Sequence, residues 1–133
     1  MRRVTTKILL TQAVALHQQG QLAQAKAAYQ SVLQTDAENA DAMHLLGLVA
    51  YQEREYLRAL DLINQAILRK PAMAGFHSNK GLVLRELGEL EAALASYNQA
   101  LKLQPGASNT YNNQGIVYAA LKNYTAEGVP NFV

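Results

Sequence analysis

Residues 79–84 read NKGLVL and residues 113–118 read NQGIVY, so the pattern Asn-x-Gly returns after 34 residues. The spacing also runs backwards: Gly47, Gly81 and Gly115 align, with Ala13 at the matching place in the first copy. Ala25, Ala59 and Ala93 then fall into register, as do Tyr29, Ile63 and Tyr97, Ala66 with Ala100, and Pro71 with Pro105. A fixed internal period of this length signals one small unit repeated, each copy burying its apolar face against its neighbours.

Each copy reads as two helices. An apolar stretch of helical periodicity leads to a break near Gly20 or Gly88, and a second stretch stops at Pro71 or Pro105. Proline ends a helix because it lacks a backbone donor and clashes with the preceding turn. The units are 6–39, 40–73, 74–107 and a partial 108–133, forming one domain over residues 1–133. Two helix backbones approach closely only where side chains are short, so Gly47 and Gly81 mark the contact within a unit. Leu46, Val49, Ala50, Leu60, Ile63 and Ile67 are the expected core of the second unit, and Leu84, Leu87, Leu94, Tyr97 and Leu101 that of the third.

The pattern stops in LKNYTAEGVPNFV, residues 121–133, which is expected to begin a turn and then abandon the repeat. Glu127 stands where alanine packs in the other units, and Gly128 and Pro130 oppose a second helix. The first helix of the fourth unit, with Ile116, Val117, Tyr118 and Leu121, is thereby left with an uncovered apolar face. The expectation is a homo-oligomer formed through this incomplete repeat, with Val129, Phe132 and Val133 covering their own last helix or reaching a neighbouring molecule; the alternative is a monomer with a frayed tail, a piece of a longer array.

Composition excludes several function classes. Of the 133 residues half are hydrophobic and 17% charged, with few and scattered Gly and Pro, which argues for an ordered globular chain. There is no cysteine, hence no disulfide framework or thiolate metal site, and either redox compartment is compatible. Met1-Arg2-Arg3 before Ile8-Leu9-Leu10 lacks a clean signal-peptide cleavage site, and no run approaches the roughly 18 apolar residues of a membrane span. A soluble, cytoplasmic protein with no membrane partner is the expectation.

The net charge of +2 is local bookkeeping rather than a basic surface. Lys7 and Lys26 face Asp36 and Glu38 in the first unit, and Lys80, Arg85 and Lys102 face Glu86, Glu89 and Glu91 in the third, so that Arg2 and Arg3 account for the excess. Without a basic stripe to release counterions, nucleic acid is not an expected partner. His17, His44 and His77 have no partner histidine at helical spacing, and no nucleophile elbow, phosphate loop or dinucleotide fingerprint occurs. The chain reads as a non-enzyme with no cofactor and no metal.

With these residues in place the sequence resembles the tetratricopeptide repeat family, whose 34-residue unit carries small residues at positions 8, 20 and 27, a large one at 24 and proline at 32. Residues 74–107 match best, through Gly81, Ala93, Tyr97, Ala100 and Pro105, with Gly88 at the inter-helix turn. Departures are His77 at position 4, Ala37 in place of proline in the first unit and Arg54 at the second turn. The resemblance implies an all-α fold, a right-handed α-α superhelix (solenoid) of about three and a half repeats, working as a scaffold that binds a protein or peptide.

The resemblance further implies a concave groove lined by the first helices at positions 2, 5, 6, 9, 12 and 13, a stripe with the spacing of one helix face. Asn79 and Asn113 hold position 6, where a carboxamide offers donors and an acceptor to the backbone of an extended peptide. This is similar to the asparagine ladder of O-linked N-acetylglucosamine transferases, although Thr11 and Leu45 interrupt it in the first two units. The remaining groove candidates are Asn109, Asn112, Leu82 and Arg85 towards the C-terminus and His17, His44, Leu45, Leu48 and Tyr51 towards the N-terminus. For the asparagines the alternative is an ordinary exposed helix position, and for Arg85 and Glu86 a solvated ion pair. The basic clamp of chaperone-binding repeats fits less well, because Thr11, Leu45, Gly75 and Asn79 replace its side chains. The alternative function is the non-catalytic repeat region of a larger enzyme, such as a glycosyltransferase or sulfotransferase.

Overall fold

The computed structural model describes the backbone of residues 2–126 and the side chains of residues 5–122. Seven helices occupy this span: α1 (Arg2–Gln18), α2 (Leu22–Thr35), α3 (Ala40–Gln52), α4 (Tyr56–Arg69), α5 (Ala74–Glu86), α6 (Leu90–Leu103) and α7 (Ser108–Ala126). No strand occurs among the described residues. The second and third units begin their helices in the 34-residue register, at Ala40 and Ala74 and at Tyr56 and Leu90.

The turn between the two helices of a unit is built three times from one device. Gly20 and Gly88 take φ +80, and Arg54 takes φ 65 at the equivalent place. In each turn this left-handed residue donates its N–H to the carbonyl three residues back, as Gly88 does to Arg85, and the next residue donates to the carbonyl five back, as Glu89 does to Leu84. Such a double bond satisfies carbonyls that a helix end otherwise leaves orphaned. The ends of α2, α4 and α6 are closed by the N–H of Asp36, Lys70 and Gln104 bonding to Val32, Ala66 and Ala100, and Pro71 and Pro105 follow in the turn.

The contacts divide the chain into two compact units, Met1–Pro71 and Ala72–Val133. In the first, α1 pairs with α2, α3 with α4, and α2 packs on α3. Ala13, Ala25, Tyr29, Leu46 and Val49 form one buried cluster, with Leu10, Val14 and Leu33 among the half-buried side chains against it. Gly47 is the tight point: a Cβ there would lie 2.9 Å from Ile63 Cγ1 and 3.3 Å from the Ala59 carbonyl. A hydrogen-bonded bridge crosses the same region. His17 Nδ1 lies 2.9 Å from the Tyr29 hydroxyl, and its Nε2 is bonded to Gln52 Oε1. A carboxamide oxygen only accepts, so Nε2 donates to Gln52, and burial pushes the Tyr29 phenol up to about 12.

In the second unit α5 pairs with α6, and α7 packs on α6. Phe76, Val83, Leu84, Ala93, Tyr97, Ala100 and Val117 are buried. A Cβ at Gly81 would enter the Tyr97 ring, within 2.6 Å of Cδ1, so the glycine is the seat of that tyrosine. Gln114 Nε2 donates to Asn98 Oδ1 over 2.7 Å and holds α7 to α6.

The expected cores hold: Leu46, Val49, Ala50, Ile63, Leu84 and Tyr97 are buried, and Leu60, Ile67, Leu87, Leu94 and Leu101 are half-buried. One expectation does not. No turn begins within 121–126, because α7 runs through Lys122, the counterpart of Gly20, Arg54 and Gly88, and continues to Ala126. Lysine is a good helix former, so nothing local stops the helix at this step. The expectations placed on Glu127, Gly128, Val129, Pro130, Phe132 and Val133 lie outside the described residues.

Candidate functional site

A groove opens between first helices in each compact unit. In Ala72–Val133 it measures about 660 Å³ and lies along α5 and α7. Asn79, Leu82, Asn109, Asn112 and Asn113 line it together with Ser78 and Thr110. Positions 5, 6 and 9 of α5 and 2, 5 and 6 of α7 recur every three or four residues, so each helix turns one polar stripe into the same space. On its floor the Ser78 and Thr110 hydroxyls share a hydrogen bond of 3.1 Å, and Thr110 is buried. Asn79 and Asn113 are half-buried.

The corresponding groove of Met1–Pro71 measures about 1010 Å³ and runs along α1 and the start of α3. Its lining includes Leu10, Thr11, Val14 and Gln18, with Lys7, Asp36, Glu38, Asp41 and Lys70 around them. Arg69 pairs with Glu38 at 2.9 Å and Lys70 with Asp41 at 3.4 Å, so much of this charge is already neutralised. Exposed pairs of this kind contribute at most about 1 kcal/mol each, and their role here is to shape the rim. The groove along α5 and α7 has no charged side chain among its described lining residues.

The eleven sequence-predicted residues separate accordingly. Asn79, Asn109, Asn112, Asn113 and Leu82 come together in one groove. Arg85 is half-buried, and its Nη2 lies 3.5 Å from Glu86 Oε2. His17 is engaged by Tyr29 and Gln52. Leu45 packs against the buried cluster of the first unit, Leu48 is half-buried, and the Tyr51 ring lies 5.7 Å from that of Tyr56. Burial pulls His44 down to about 4, with Asp41 opposing the shift, so the imidazole is neutral at neutral pH. None of these six, Arg85 included, is among the described lining residues of either groove.

The linings also contain residues that the first-helix stripe omits. Gln104, Gly106, Ala107 and Ser108 flank the asparagines, and Asp36, Glu38 and Asn39 occupy the same place in the other unit. All sit in, or just after, the turn that leads into a first helix, at the end where the stripe of position 2 starts. That turn was readable from Pro105 and could have been counted as groove wall. Among the described residues no cluster of His, Cys, Asp and Glu is placed to hold a metal ion, and no helix is long and apolar enough to cross a membrane.

Paired antiparallel helices in a fixed register, with glycine seats under large side chains and a polar stripe on the first helices, define a helical-repeat protein. The chain belongs to the tetratricopeptide repeat family: the family described as tetratricopeptide repeat matches residues 10–75, and that described as TPR repeat matches residues 81–122. No curated protein matches the chain. Among solved structures it is similar to a mutant O-GlcNAc transferase of Thermobaculum terrenum, with 30% identity and a TM-score of 0.86 over 88% of this chain. The chain spans only 22% of the length of that transferase. The first TPR domain of Spaghetti (RPAP3), solved with the HSP90 peptide SRMEEVD, has 20% identity and a TM-score of 0.83, covering 88% of this chain and 93% of that one. MamA has 23% identity and a TM-score of 0.80, covering 88% and 68%. The last two likenesses concern the fold alone.

Proposed function

We propose that this array is a non-catalytic scaffold that holds an extended polypeptide segment, and that the groove along α5 and α7 grips its backbone. The observation that carries the reading is the gathering of Asn79, Asn109, Asn112 and Asn113 around an uncharged cleft. Each carboxamide pairs with an N–H and a C=O of a peptide bond, and the apolar Leu82 beside them suits an aliphatic side chain. Such a site recognises the course of a chain more than its composition.

The test selects peptides from a displayed random library on the 133-residue protein and measures their calorimetric affinity for the Asn79→Ala/Asn113→Ala variant. Each lost pair of hydrogen bonds is worth about 1 kcal/mol, so the double variant should bind tenfold or more weakly with unchanged helicity. Equal affinities would return both asparagines to the role of solvated surface. The acidic peptide SRMEEVD should bind poorly, because Lys7 is in place but Thr11, Leu45, Gly75 and Asn79 stand where a carboxylate clamp needs its asparagines and basic partners.

A second reading rests on the 30% identity to a transferase of which the chain covers 22%. In it the array is the substrate-holding repeat region of a larger glycosyltransferase-like enzyme. A reading frame that continues past Val133 into a catalytic domain would select this version, and the groove would then hold the enzyme's polypeptide substrate.

A further inference from the structure

A hydroxyl side chain inside a helix commonly gives its proton to a carbonyl of its own preceding turn. Thr11 does so with the Lys7 carbonyl over 2.9 Å, and Thr35 with that of Ser31 over 3.4 Å. Ser78 and Thr110, in the cleft along α5 and α7, do not. Among the described residues the only hydrogen-bond partner of each hydroxyl is the other, 3.1 Å away. The two differ in burial: Thr110 is 3% exposed, whereas Ser78 is half-buried and lines the cleft next to Asn79. In protein interiors an unmatched donor is rarer than an under-used acceptor oxygen, which carries two lone pairs. Thr110 therefore donates, Ser78 accepts, and the Ser78 proton is left over.

We infer that Ser78 is a ligand-contacting residue that donates this proton to a carbonyl oxygen of the bound chain, and that Thr110 is a positioning residue acting through it. The inference rests on the peptide-holding reading of this cleft and adds a polarity to it. A carboxamide turns either a donor or an acceptor to its ligand, so Asn112 and Asn113 by themselves do not dictate which way round a peptide bond lies. Ser78 does. Once a bound chain displaces water, its proton must meet an acceptor or stay unmatched, and one carbonyl of the chain is thereby given a fixed place. The same bond joins α5, which carries Asn79, to α7, which carries Asn112 and Asn113, so the proton is held at a set position among the carboxamides.

The probes are the library-selected peptides, remade with one backbone carbonyl at a time replaced by a thiocarbonyl, a weaker acceptor. In calorimetry Ser78→Ala should weaken the all-amide peptide roughly fivefold with unchanged helicity. Thr110→Val should weaken it less, and Thr110→Ser, which keeps the hydroxyl, should restore the parent value. One thiocarbonyl position should weaken binding to the parent but not to Ser78→Ala, because its partner is already gone there. Equal penalties in both proteins at every position overturn the proposal, as does an unchanged affinity of Ser78→Ala. By NMR of the free protein, the Thr110 hydroxyl proton should exchange slowly with solvent and that of Ser78 fast; the opposite order reverses the donor and sinks the inference. The two readings fail separately. If Asn79→Ala/Asn113→Ala weakens binding and Ser78→Ala does not, the peptide-holding cleft stands and this inference is lost; if neither does, both are lost.

Discussion

Gly81 and Gly115 occupy the same step of the same motif, yet one is enclosed and the other open. In α5 the glycine lies beneath the Tyr97 ring supplied by α6; in α7 none of the described residues stands within reach of a Cβ. The local sequences, NKGLVL and NQGIVY, scarcely differ. A repeat motif thus specifies a place in a pattern, and the neighbouring helix decides whether that place is core or surface.

The sharpest way to break this comparison is to put one substitution in both places. Gly81→Leu forces a side chain into the Tyr97 ring and should cost about 3 kcal/mol, the upper end for an overpacked core. Gly115→Leu should be neutral, or stabilising by up to about 1 kcal/mol through helix propensity. Thermal melts by circular dichroism measure both, and equal effects would mean that the assigned register is wrong.

His44 sharpens the contrast through pH. It holds position 5, where Leu10, Ser78 and Asn112 stand in the other units, and burial lowers it from 6.5 to about 4. A base whose folded value is depressed binds its proton more weakly in the native state, so protonation opposes folding. The stability is intact above pH 6.5 and declines as pH falls towards 4, by roughly 3 kcal/mol over that window. Carboxylates titrate in the same range, so the measurement is a difference: urea melts of the parent should lose about 2 kcal/mol more between pH 7 and pH 4.5 than those of His44→Asn. Parallel loss in the two proteins would show that burial of this imidazole does not matter.

The smallest effect belongs to the turns. Arg54 adopts φ 65 where Gly20 and Gly88 adopt φ +80, and it is exposed. A side chain in the left-handed region costs about 1 kcal/mol, part of which glycine returns as unfolded-state entropy. Arg54→Gly should therefore raise the stability by about 0.5 kcal/mol, and a lower melting temperature would indicate that the arginine side chain makes a contribution of its own.

These cases also mark how far the sequence could be read. The helix starts at Ala40, Ala74, Tyr56 and Leu90 and the breaks at Gly20 and Gly88 were legible, because period, apolar spacing and glycine act locally. The shared cleft of Asn79, Asn112 and Asn113 follows from the register, whereas its role in binding is a proposal. The run of α7 through Lys122 was not legible, because the register placed a turn at a lysine, which carries no helix-stopping signal of its own. Nor was the engagement of His17 by Tyr29 and Gln52, whose partners lie 12 and 35 residues away. Local charge balance was visible, whereas the pairing of Arg69 with Glu38, 31 residues apart, required the folded chain.

The uncharged lining of the groove along α5 and α7 has a kinetic consequence. A cleft whose described side chains carry no formal charge offers little electrostatic steering, so the proposed peptide should reach it by largely unguided collision, at roughly 10⁵–10⁶ M⁻¹s⁻¹. Affinity there resides in the dissociation rate, and both rates should be nearly indifferent to ionic strength. The groove along α1 and α3, with Asp36, Asp41 and Lys7 at its edge, is the part of the protein in which added salt should be felt.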